Sequence, residues 1–155
     1  MSTYYSERQF RWDCRSIGTA NTSSTTVFTN NTKITTFKEL VYFKNLVTLG
    51  RAFVSGCSQL RELWIPATVN RFGNGAFAST PRLVKILCYP KTAPAYADNG
   101  YIFGSASATS TGHNTRNAGT NEFHVPVGAT GYDSGLYSSR LQNTSYCGFT
   151  VIYDL

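Results

Sequence analysis

The side chains that could carry acid–base, metal or nucleophilic chemistry are few: two histidines, eight carboxylates and four cysteines in 155 residues. His113 lies in a GHNT loop and His124 in the run EFHVP. Neither has the H-E-x-x-H spacing that sets two imidazoles and a base on one helix face. No G-x-S-x-G elbow, phosphate-cradling loop or dinucleotide fingerprint occurs. Asp98-Asn99-Gly100 and Asp133-Ser134-Gly135 open like cation loops but lack the further acidic ligands such loops need, so they read as turns. Cys14, Cys57, Cys88 and Cys147 fit no metal spacing. Cys57 and Cys88 read as small buried hydrophobes, while a Cys14–Cys147 bridge between the two ends is left open. No catalytic residue, metal or cofactor is expected, and the chain reads as a non-enzyme.

Composition narrows the partners. Basic residues outnumber acidic ones by 14 to 8, giving a formal charge of +6. The basic residues are scattered from Arg8 to Arg140 with no two adjacent, so they build no phosphate-tracking stripe, and nucleic acid is not an expected partner. Charged residues make up only 14%, with Ser, Thr, Asn and Gly in their place, a surface chemistry shared by extracellular and virion proteins. No apolar run approaches the ~20 residues that span a bilayer, so no membrane insertion is expected. The opening MSTYYSERQFRWDC lacks the apolar core of a secretory signal, which suits a chain released with a virion as well as a mature surface protein.

The elements that would position any site come from an internal repeat. Shifting the chain by 23 residues superposes Leu60 on Leu83, Leu63 on Ile86 and Ile65 on Cys88. One period earlier, Leu60 falls on Phe37, Leu63 on Leu40, Val69 on Leu46, Phe72 on Leu49 and Gly73 on Gly50. The pair Ala52-Phe53 returns as Ala76-Phe77, offset by one residue. Each unit has too few apolar side chains for a core of its own, and stacking aligns them into a ladder. In LRELWIP, alternation sends Leu63 and Ile65 inward and Glu62 and Trp64 outward, and Pro66 ends the strand. Thr36 followed by Glu39 has the form of a capping box, so a short apolar-faced helix over 36–45 is expected to cover the first open edge.

Downstream, residues 91–121 break the period as a long Ser-, Thr- and Gly-rich insert anchored by Tyr101-Ile102-Phe103. EFHVP then repeats the grammar of ELWIP, setting Phe123 on Leu63, Val125 on Ile65 and His124 on Trp64. GFTVIYDL closes the chain as a last strand.

GRAFVSGCSQLRELWIP and IPATVNRFGNGAFASTPRL resemble the BspA-like leucine-rich repeat, with Cys57 at the family's cysteine position and Thr80 near where the next would stand. The resemblance covers residues 28–90 well and 122–153 loosely. It implies a short leucine-rich-repeat solenoid, β-rich, with about two full repeats between caps. The expected organisation is an N-terminal extension over 1–27 and one domain over 28–155, with repeats over 46–90, the insert over 91–121 and terminal strands over 122–155. The family's association with adhesion implies a non-enzymatic module that binds a protein or glycan through its strand face and long loop, at the cell surface or on a virion. Candidate contact residues on that face are Glu62, Trp64, Lys85, Leu87, Tyr89 (whose side alternation does not decide) and His124. A reading of a different class is a structural virion component, such as a tail or fibre appendage involved in host attachment.

Overall fold

A computed structural model of the chain describes residues 16–17, 28–96, 101–103, 120–142 and 147–155. Inward and outward residues alternate along Glu62–Ile65 and again along Lys85–Cys88, because Leu, Ile and Cys at alternate positions fall on one side of the pleat. Those segments pair in parallel, Glu62 with Lys85 through Ile65 with Cys88, so Leu63 lies on Ile86. Repeating this step winds the chain into a β-solenoid of about four turns with little helix. Its strands among the described residues are β1 (Ser16–Ile17), β2 (Thr36–Phe37), β3 (Thr48–Leu49), β4 (Glu62–Ile65), β5 (Arg71–Phe72), β6 (Lys85–Cys88), β7 (Ala95–Tyr96), β8 (Asn121–Val125) and β9 (Phe149–Tyr153). They form two parallel sheets, one ordered β2-β4-β6-β8-β9 and the other β1-β3-β5-β7. Leu49 pairs with Phe72 and Phe72 with Tyr96, continuing the second ladder.

The return segments stack as well. The amides of Ala52, Val54 and Gly56 donate to the carbonyls of Asn74, Ala76 and Ala78 on the next turn. The amides of Gly75 and Phe77 donate in turn to Tyr101 and Ile102, so the apolar anchor of the insert adds a rung to the solenoid. Phe103 is buried against Phe77 and Phe149, with ring centres 5.4 and 5.3 Å away. Between the layers runs one apolar core, from Leu40, Phe53 and Leu63 to Phe123, Tyr132 and Phe149. Gly73 has a steric reason to be glycine: a Cβ there would run into the backbone of Gly50 and Arg51 on the turn before.

Four expectations need correction. First, Thr36 does not cap a helix. Thr36 and Phe37 form β2, and only Glu39–Tyr42 coils, as one 3-10 turn without a side-chain cap. The strand wins because it pairs with β4 while Phe37 packs against Phe28 and Phe53, at 5.0 and 5.9 Å between ring centres. Second, Phe37 therefore lies on Leu63 rather than Leu60, since the 3-10 turn lengthens that coil and displaces the 23-residue register. Third, the Ala-Phe pairs are not equivalent. The left-handed residues Ala52 and Gly75, and Gly56 and Ser79, keep the 23-residue step. Phe53 accordingly occupies the place of Ala76, and Phe77 that of Val54. Fourth, the sheets begin before residue 28, because Ser16–Ile17 pairs with Thr48–Leu49. The solenoid's count of about four turns takes in the coils that flank the repeats, down to β8 and β9.

The buried thiols behave as small hydrophobes. Burial pushes the Cys88 thiol up to about 12 and raises Cys57 and Cys147 as well. The Cys57 thiol donates to the Phe28 carbonyl at 2.9 Å. Thr80, one period on, is buried with its hydroxyl on the Phe77 carbonyl at 2.7 Å. Cys147 is a free thiol, and Cys14 lies outside the described residues.

Candidate recognition face

The outward positions of the five-stranded sheet line up in columns. One column runs Thr36, Glu62, Lys85, Glu122, Thr150, and the next runs Trp64, Leu87, His124, Ile152. All the candidate contact residues on strands thus share one face, with Glu62, Trp64, Lys85 and Leu87 half-buried. His124 departs from the expectation of an outward contact: it has the outward parity but is only 8% exposed.

At the C-terminal end, two carboxylate partners account for that burial. His124 Nδ1 lies 2.8 and 3.0 Å from the two carboxylate oxygens of Asp154, and its Nε2 lies 3.0 Å from Glu122 Oε2. Lys85 Nζ stands 3.4 Å from the same Glu122 oxygen. The hydrogen bond from His124, followed by that from Lys85, holds the Glu122 carboxyl below its ordinary range. This end therefore joins β6, β8 and the segment carrying Asp154 through the His124 hydrogen bonds and the Lys85–Glu122 ion pair, which makes His124 a structural clamp more than a contact residue.

At the N-terminal end, a second arrangement forms around Trp64. Its indole Nε1–H donates to Glu62 Oε1 at 2.6 Å. Lys38 Nζ lies 3.3 Å from Glu62 Oε2 and 5.3 Å from the centre of the Trp64 ring. Those contacts lock the indole in one orientation. Tyr89, left undecided by alternation, falls on the same side, its ring tilted at 58° and 6.3 Å from Trp64. The two rings form a bent wall of a cleft of about 290 Å³, completed by Val41, Lys44, Pro66, Ala67 and Thr68. Thr68 is held in place by its hydroxyl, which donates to the Leu46 carbonyl at 2.6 Å.

Sequence reasoning found Trp64, Tyr89 and Glu62 but missed the rest of the cleft. Pro66–Thr68 were visible as the strand end, and nothing in their spacing said that the 3-10 turn carrying Val41 would face them. Lys38 and Asp154 were missed for a similar reason, since each acts through a neighbouring coil, whereas Glu122 flanks His124 on its own strand. Among the described residues, no group of three or more His, Cys, Asp and Glu is placed to hold a metal ion, and no helix is long and apolar enough to cross a membrane. No family model matches the chain, and comparison with curated proteins and with solved structures gives no match either.

Proposed function

We propose that this chain is a non-catalytic recognition module, a short solenoid of the BspA-like leucine-rich-repeat kind that binds a protein or glycan on the outward face of its longer sheet. The observation that carries this reading is the Trp64 cleft. A large aromatic ring is fixed by a hydrogen bond and a cation on a stiff parallel sheet, yet stays partly exposed beside a second ring. Pre-oriented aromatic side chains are common anchors of binding sites, because little rotamer freedom remains to be lost on contact. The repeat stretches GRAFVSGCSQLRELWIP and IPATVNRFGNGAFASTPRL support the family assignment, and the Ser-, Thr- and Asn-rich composition suits a place outside the cell or on a virion surface.

Binding of purified wild-type chain and of Trp64→Ala to glycan and peptide arrays tests the reading. Wild-type signal that disappears in Trp64→Ala, with a cooperative melting transition retained in the variant, supports it. Signal that Trp64→Ala retains places recognition elsewhere and overturns it. Sedimentation at several concentrations addresses a structural virion role: self-association that buries the Trp64 face would transfer that surface from ligand binding to assembly.

A further inference from the structure

The recognition reading says nothing about ligand chemistry, and the state of each polar group in the cleft narrows it. The Trp64 Nε1–H is already given to Glu62, and the Thr68 hydroxyl to Leu46. Lys38 is neutralised by Glu62. Val41, Pro66, Ala67 and the Trp64 and Tyr89 rings supply an apolar floor, and Lys44 is the only charged side chain lining it among the described residues. Lys44 is exposed and has no acidic partner among the described residues. An ammonium offers three donors and no acceptor. The free chemistry is therefore an apolar wall with one cation at its rim and the Tyr89 hydroxyl beside it. At about 290 Å³ the cleft is at the small end of ligand pockets, enough for one or two side chains of a longer chain.

Resting on the recognition reading, we propose that the Trp64 cleft binds an extended acidic peptide, with a proline or aliphatic side chain against Trp64 and Tyr89 and a carboxylate on Lys44. Extended proline-containing segments suit such walls, because they keep little conformational freedom to lose and aromatic rings pack well on the pyrrolidine. A sugar would instead need several hydrogen-bond partners for its hydroxyls, and with the Trp64 and Thr68 donors spent the cleft offers few beyond Lys44 and the Tyr89 hydroxyl. The chain's +6 charge favours encounter with an acidic segment over a basic one.

The test uses the full chain and synthetic probes. Acetylated six-residue peptides containing Pro-Pro flanked by Asp and Glu are titrated by calorimetry and by amide and indole NMR shifts. The controls are the same peptides with Lys replacing the acidic residues, the same with Ala replacing proline, and neutral oligosaccharides. The expected result is binding of the acidic proline peptide that moves the Trp64 indole resonance. Lys44→Glu should weaken it about tenfold and shift preference toward the Lys-containing peptide, as reversal of a charge pair does. Lys44 is exposed, so this variant keeps the fold, and its NMR spectrum checks that directly. Equal binding of acidic and basic peptides, or an unchanged affinity in Lys44→Glu, overturns the proposal. Trp64-dependent binding of an oligosaccharide without any peptide binding also overturns it while leaving the recognition reading standing. Binding of neither probe at this face removes both.

Discussion

Trp64 and His124 occupy the same column of the same sheet, two strands apart, and do opposite things. Around Trp64 a single acid, Glu62, fixes the indole from one side and leaves its other side along an open cleft. Around His124 two acids approach both ring nitrogens and close the position almost completely. Outward parity on a solenoid strand thus gives a side chain access to solvent only if neighbouring coils allow it. At the N-terminal end the adjoining coil leaves a cleft; at the C-terminal end the adjoining chain terminus folds in with Asp154.

Both ends rest on the same inward ladder, so the largest expected effect is common to them. Leu63→Ala and Phe123→Ala should each lower stability by about 2–5 kcal/mol, read from thermal or denaturant unfolding, because each leaves a cavity between stacked coils. A small loss at either one would break the shared-core half of the comparison. Next, Ala76→Leu should cost about 1–3 kcal/mol by overpacking a fully buried return position. An unaltered melting curve there would contradict the stacking of the return segments.

The two ends should then separate. His124→Ala is expected to cost about 1 kcal/mol and to speed amide exchange in β9 while leaving β4 protected, since the acids it frees can hydrate. Exchange that rises equally in both strands would deny the local clamp. Trp64→Ala should cost about 1–2 kcal/mol, less than Leu63→Ala, because the indole keeps part of its surface in water. A loss as large as that of Leu63→Ala would make Trp64 core and remove it as an anchor.

The smallest effect is a pH dependence confined to the C-terminal end. The folded Glu122 carboxyl titrates below its ordinary value of 4.5, so its ion pairs contribute stability that is fully present above that pH. That contribution is lost as pH falls through the lower folded value. Glu122 is largely hydrated, which keeps the change small. Glu122→Gln should flatten the stability profile over this acid range, and a profile identical to wild type would show that the pairing is too screened to matter.

Much of the fold was legible because its signal is local. Alternation in ELWI and KILC fixed which side chains enter the core, and Pro66 and Pro126 marked strand ends. The step from Leu49 to Phe72 and from Leu63 to Ile86 was readable because those coils have equal length. The two-residue strands of the second sheet were not, since two residues carry no period. The 36–45 segment misled because a capping box and a pairing strand compete for Thr36, and the competition was decided by Phe37 finding Phe28 and Phe53.

The sequence by itself determined the parity of β4, β6 and β8, and with it the common face of Glu62, Trp64, Lys85, Leu87 and His124. It did so because strand parity depends only on a two-residue period within each strand. Tertiary structure decided everything that needs two coils at once: the 26-residue step from Phe37 to Leu63, the cleft joining Val41 and Lys44 to Trp64 and Tyr89, and the closure of His124 by Asp154. Those contacts depend on how long each coil is and where it crosses its neighbour, and that is set by the packing of the whole stack.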